Sequence, residues 1–171
     1  MTKGHMYRHF LALILAAAAG AASAQLVDAD PDWKELQTPP PPPLNTSRLI
    51  GLEMPASSLR FGVDPGSVSI GADGVVRYVV VATSTSGTVN AMYEGVRCST
   101  GEVKVYARHN PDSGWVPATK AEWQPLQQTR NSRHSLLVAR TGACIGHAPN
   151  RSPEFIVRDL KSGPDLRFLA N

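Results

Sequence analysis

Val75 to Thr83 constrain the fold more than any other stretch. Val76, Tyr78, Val80 and Ala82 make one apolar face at the two-residue period of a strand, and Val75, Val79 and Val81 make the other face apolar too, with Arg77 as the exception. A strand that is apolar on both sides belongs in the centre of a sheet covered on both sides. Its neighbours read as strands joined by short turns. Leu59, Phe61 and Val63 alternate with polar residues, followed by Val68 and Ile70. Gly71-Ala72-Asp73-Gly74 supplies hairpin chemistry, because Gly and Asp accept the positive φ such turns need. After the turn Ser84–Gly87, Val89, Ala91 and Tyr93 share one parity, while Val96 and Cys98 have the other. A β-bulge near Glu94-Gly95 would bring all five onto one face. Past Ser99-Thr100-Gly101, Val103, Val105 and Ala107 are expected to face in, with Glu102, Lys104, Tyr106 and Arg108 out. A turn at Asn110–Gly114 then leads to Trp115. Consecutive strands with short turns make an antiparallel meander the economical topology.

The last third is less regular. Trp123 and Leu126 are apolar anchors in polar surroundings. Residues 132–141 fit a helix, with Leu136, Arg140 and Cys144 on one face, but Leu136 and Val138 also fit a strand. Residues 153–161 read as a helix, with Ser152 as N-cap, Pro153 in the first turn, Glu154 at the positive dipole end, Lys161 in the last turn and Gly163 as the stop. Phe155, Ile156 and Leu160 form its expected buried stripe. The fold class is therefore α+β and mostly β: a meander of about five strands with one or two helices packed on it, in one domain over residues 48–171.

Ahead of that domain stand two other segments. Residues 1–24 have the three parts of an export signal: Lys3 and Arg8 without an acid, an unbroken apolar run of ten residues from Phe10 to Ala19, and Ala22-Ser23-Ala24 before Gln25. The run is short of the roughly 20 residues a membrane span needs, so cleavage after Ala24 and a periplasmic location are expected, with no membrane span. Cleavage takes away Lys3 and Arg8 but no acid, leaving 15 basic against 14 acidic side chains. A nucleic-acid partner calls for a clear basic excess. The densest candidate, Arg130, Arg133, His134 and Arg140, reads as solvated surface, so none is expected. Residues 25–47 form an acidic and polyproline lead. Asp28, Asp30 and Asp32 have the alternation of a calcium loop, but Trp33 stands where its glycine is needed and Pro39 where its bidentate glutamate is needed. Pro39 to Pro43 must form polyproline II, a stiff spacer of roughly 15 Å.

Two cysteines in an exported chain read as a disulfide, Cys98–Cys144. Thiol-redox cycling by the same pair is the alternative, although redox pairs usually sit in a close Cys-x-x-Cys turn. Common enzyme signatures are missing: there is no Gly-x-Ser-x-Gly, His-Glu-x-x-His, phosphate-binding loop or dinucleotide fingerprint. His109, His134 and His147 are not paired at ligand spacing, so no metal and no cofactor is expected. Asn45 and Asn150 head short glycosylation-like patterns of low specificity. Tyr93, Tyr106, Trp115 and Trp123, with Arg97, are the candidate binding surface, since exposed aromatics beside arginines grip sugars, peptides or lipid headgroups. The competing reading has the tryptophans capping the ends of the sheet.

The ordered motifs resemble those of the cryptic neisserial protein-like family, small periplasmic proteins of Gram-negative bacteria. The pieces are Asp32-Trp33-Lys34-Glu35, a proline spacer, Phe61-Gly62-Val63-Asp64-Pro65, and Gly71 to Tyr78. Then come Tyr93-Glu94-Gly95-Val96-Arg97-Cys98, Val105-Tyr106-Ala107, Trp115, Trp123 and Cys144. Around Leu137 to Thr141 the chain departs from the pattern, which has an aromatic residue there. The resemblance implies a periplasmic location and brings no reaction, ligand or catalytic residue. The functional expectation is a non-enzymatic binding or envelope-maintenance module, its partner an envelope protein or a small ligand. The enzymatic alternative is an envelope hydrolase using His109 or His134 with Asp64, Asp73 or Glu94.

Overall fold

A computed structural model describes residues 30–54, 57–127 and 133–163. The expected export signal lies outside these residues. An antiparallel sheet dominates the described chain. Its main path runs β1 (Ile50–Leu52), β2 (Arg60–Val63), β4 (Val75–Thr83), β5 (Val89–Arg97), β6 (Glu102–Asn110) and β7 (Gly114–Pro117). Two short strands, β3 (Ser69–Ile70) and β8 (Gln124–Pro125), pair with β4 and β6 and bring the sheet to eight strands. The expected meander is therefore present, and its additions are edge strands of two to four residues.

β4 is central, as its two apolar faces require. Residues Val75 to Val81 are at most 2% exposed. One face of the sheet packs Val76, Tyr78, Val80, Met92, Val96 and Val103 against the helical layer. That layer consists of α1 (Arg133–Val138), a π-helical turn over Ala139–Ala143 and α2 (Pro153–Ser162), with the small hairpin β9 (Cys144–Ile145) and β10 (Ala148–Pro149) between the turn and α2. Residues 132–141 thus settle on helix from Arg133 onward. Gly142 lets the π-helical turn lie on α2, since a Cβ there would come within 2.9 Å of the Ile156 carbonyl oxygen. Ile156 and Leu160 are buried as expected. Phe155 instead lies outside that core, its ring 4.5 Å from the Arg158 guanidinium. The disulfide Cys98–Cys144 ties the end of β5 to the helical layer.

The opposite face packs Val79, Val81, Ala91, Tyr93 and Ala107, and its cover includes Leu44, Leu49, Tyr106 and Trp115. β5 pairs with β4 without interruption from Val75↔Arg97 to Thr83↔Val89. The bulge expected in β5 is therefore not there. Ala91 and Tyr93 point to one cluster, while Val96 and Cys98 point to the other. Because both faces are covered, β5 has no need to keep its apolar residues on one side. The irregularity falls at the same level on β6, where Tyr93 pairs with Ala107 and Glu94 with Val105, leaving Tyr106 as the extra residue. The bulge puts Tyr106 and Ala107 on the same face, whereas Val103 and Val105 pack on the other. Ala107 was expected alongside Val103 and Val105, and the bulge is why it is not.

Candidate functional site

The polar chemistry of the second face starts at the β3–β4 hairpin. Gly74, at φ +75°, closes the turn. Asp73 then accepts two hydrogen bonds from Arg77, at 3.1 and 2.6 Å, and one from the Val75 amide. Burial pulls the Asp73 carboxyl up, but the Arg77 guanidinium and the amides of Val75 and Leu36 outweigh it and hold it below its ordinary value. Arg77, the polar exception in the central strand, is 2% exposed and neutralised by this pair.

The lead does not stand off the domain as a spacer. Residues 33–44 lie against this face as a strap. The Trp33 indole donates to the Asp73 carbonyl at 2.8 Å, and the Leu36 amide donates to the Asp73 carboxylate at 3.1 Å. The Arg97 guanidinium sits 3.7 Å from the centre of the Trp33 ring, which also makes a T-shaped contact with Trp123 at 5.9 Å between centroids. Glu35 is the hub. One oxygen accepts from Tyr106 at 2.7 Å, and the other accepts from Lys104 at 2.8 Å and from the Trp123 indole at 3.1 Å. Burial raises the Glu35 carboxyl, and the Lys104 and Tyr106 hydrogen bonds more than offset this, so it too sits below its ordinary value. Burial, reinforced by Glu35, pushes the Tyr106 phenol up and keeps it a donor. Further along the strap, Trp115 donates to the Pro42 carbonyl at 2.8 Å. Pro41 and Pro42 are half-buried within the polyproline run.

Gly95 makes this arrangement possible. A Cβ there would come within 2.7 Å of the Tyr106 hydroxyl and 2.8 Å of its ring. The bulge turns Tyr106 toward the strap, and the glycine leaves room for the ring to lie on the sheet.

Four of the five expected binding residues, Arg97, Tyr106, Trp115 and Trp123, therefore converge on one face, each half-buried against the strap. Tyr93 lies on the same face but is 2% exposed, beneath the Tyr106 ring. The partners that sequence reading missed are Trp33, Glu35, Asp73, Arg77 and Lys104. Arg77 carried a usable signal: a lone charge in an otherwise apolar central strand implies a buried counter-charge, and Asp73 stands four residues before it. Nothing in the local pattern paired Glu35 with Lys104 across 69 positions.

A family model described as the CNP1-like family matches residues 28–161. The chain belongs to the CNP1-like family. No curated protein and no solved structure matches it. In this CNP1-like protein the motifs quoted above meet in space. Trp33 and Glu35, Asp73 and Arg77, Gly95 and Arg97, Tyr106, Trp115 and Trp123 all belong to the strap and its seat.

The remaining candidates fall elsewhere. Glu94 is 1% exposed under α1. One of its oxygens accepts from Tyr78 at 3.0 Å and from Ser135 at 2.9 Å, while His134 Nε2 lies 2.9 Å from the other. Phe61 stacks on the His134 ring at 4.9 Å. Burial, with Glu94 alongside, pushes the Tyr78 phenol well up. Of the acid–histidine combinations considered for hydrolysis, this is the one that meets. His109 packs against Trp115 on the strap face, Asp64 caps a 3₁₀ turn through the Gly66 amide, and Asp73 is committed to Arg77. His134 leaves the basic stretch proposed as surface by turning into the core, and Arg130 lies outside the described residues. Asn150 is also buried, donating to the Gly142 carbonyl. Among the described residues no group of three or more His, Cys, Asp or Glu is placed to hold a metal, and no helix is long and apolar enough to cross a membrane.

Proposed function

We propose that this protein is an exported, non-enzymatic binding or envelope-maintenance module of the periplasm. The ordered motifs support the finer identification of its family with the cryptic neisserial protein-like proteins, and the three-part leader supports export. The observation that carries the binding reading is the grip on Trp33, Glu35 and Pro42. Arg97, Lys104, Tyr106, Trp123 and Trp115 engage an extended aromatic–acidic, proline-rich segment through side chains. Cationic and aromatic groups around a carboxylate are the chemistry of peptide recognition. The buried His134–Glu94 pair supports a structural role, because both side chains are sealed between the sheet and α1.

A labelled peptide of residues 30–44 tests the reading against the mature protein and a Trp33→Ala/Glu35→Gln variant with a weakened strap. The variant should bind the peptide, and adding Lys104→Glu should abolish binding. A folded variant that ignores the peptide would end the binding reading. Fractionation with intact-mass measurement tests export; the expected product begins at Gln25 and is two hydrogens lighter than the dithiol.

A further inference from the structure

A second concave surface lies away from the strap, and it goes beyond the reading above. Between the β5–β6 turn and the helical layer opens a cleft of about 1000 Å³ with the disulfide in its wall. That volume is at the upper end of the range for small-molecule sites. Its floor and walls include Leu126, Leu136, Ala139 and Ile145. Ile145 is 54% exposed, the highest of the three exposed large apolar side chains among the described residues.

The polar groups on this apolar surface are unevenly satisfied. Asp159, also in the lining, accepts from Arg158 and Asn150, so its charge is already answered. Arg140 and His147 are exposed in the lining and have no hydrogen-bond or ion-pair partner among the described residues. The Thr141 hydroxyl oxygen is buried and has no partner either. An apolar wall bordered by an unpartnered guanidinium and an unpartnered imidazole has the chemistry of a headgroup site beside an acyl site.

We propose that this cleft binds a single-chain anionic amphiphile, its chain along Leu126, Leu136, Ala139 and Ile145 and its anionic head at Arg140. The guanidinium donates to the head's oxygens, and the exposed His147 is a further polar group within the same lining. The chain removes Ile145 from water and adds affinity with each buried methylene. Selectivity follows from the two parts together: a neutral head forgoes the arginine, and a short chain forgoes the wall.

The test is calorimetric titration of the oxidised mature protein with dodecyl phosphate, dodecanoate and dodecyl maltoside, each below its micelle concentration. Methyl NMR shifts at Leu136 and Ile145 locate the site. Both anionic probes should bind at least tenfold tighter than the maltoside, and shortening the chain by two carbons should weaken binding roughly tenfold. Arg140→Glu should remove the anion preference and leave maltoside binding unchanged. Ile145→Asp should weaken all three. Both substitutions are at exposed positions, so the fold should survive them, as circular dichroism would check. Equal affinity for charged and neutral heads overturns the proposal, as does binding indifferent to Arg140→Glu. So does a cleft that accepts probes only in a chain ending at Gly163, since residues 164–171 would then be its occupant.

Discussion

Under α1 and α2 the sheet meets a continuous apolar layer, a disulfide, and one buried carboxylate whose partners are neutral hydroxyls and an imidazole. On its other face it meets a strap that is mostly polar where it touches. Trp33, Leu36, Glu35 and Pro42 engage the sheet by side-chain-mediated bonds, and no backbone ladder joins residues 33–44 to it. The first face is closed by burial and a covalent constraint, which resist local opening. The second is closed by a few charge-assisted contacts, each of modest net worth. Local opening should therefore begin at the strap, with the helical face following only in global unfolding.

The largest test of this contrast is reduction of Cys98–Cys144, or a Cys98→Ala/Cys144→Ala pair. Closing a loop with a separation of 46 residues should contribute about 4 kcal/mol on the chain-entropy model, read as a fall in urea midpoint. Glu94→Ala should cost about 3 kcal/mol, because it leaves Tyr78, Ser135 and His134 buried without the oxygens they meet. Its unfolding should remain a single transition. Gly95→Ala should cost about 2 kcal/mol by forcing the Tyr106 ring off the sheet. It should also expose the strap, seen as faster amide exchange near Leu36.

The smallest expected effect is the most specific. Glu35→Gln should cost about 1 kcal/mol, because its partners Lys104 and Tyr106 are half-buried. It should also blunt the acid response of the strap. Both Glu35 and Asp73 have carboxyls lowered in the folded state, so each contributes stability that is present above its ordinary value and lost as pH falls through the lowered one. The ordinary values are 4.5 and 3.8, so tryptophan fluorescence should report strap loosening below about pH 4. The Glu35→Gln variant should keep only the Asp73 part of that change. A strap that holds unchanged through acidification would break the comparison, as would strap amides that exchange only with those of β4.

Local pattern was enough for β4, the hairpin at Gly71–Gly74 and α2, because each depends on side-chain alternation, turn chemistry or capping, and for the cysteine pair, because only two cysteines are there to join. It placed Arg97, Tyr106, Trp115 and Trp123 among the candidates because aromatic and cationic residues stood out from their surroundings. What it could not supply was their occupant. An extended segment with five prolines has no period from which a docking face can be read, so the strap looked like a spacer.

The chain's own order of residues determined a central strand covered on both sides and the turns around it, since those follow from short-range periodicity and backbone sterics, and the cysteine pair could be read only because two cysteines leave a single pairing. Only the tertiary structure decided which residue carries the bulge, that Glu94 is answered by Tyr78, Ser135 and His134, and that Glu35 meets Lys104. These pairings are set by which surfaces meet when the layers close, and contacts across 16 to 69 positions leave no imprint on the local sequence at either end.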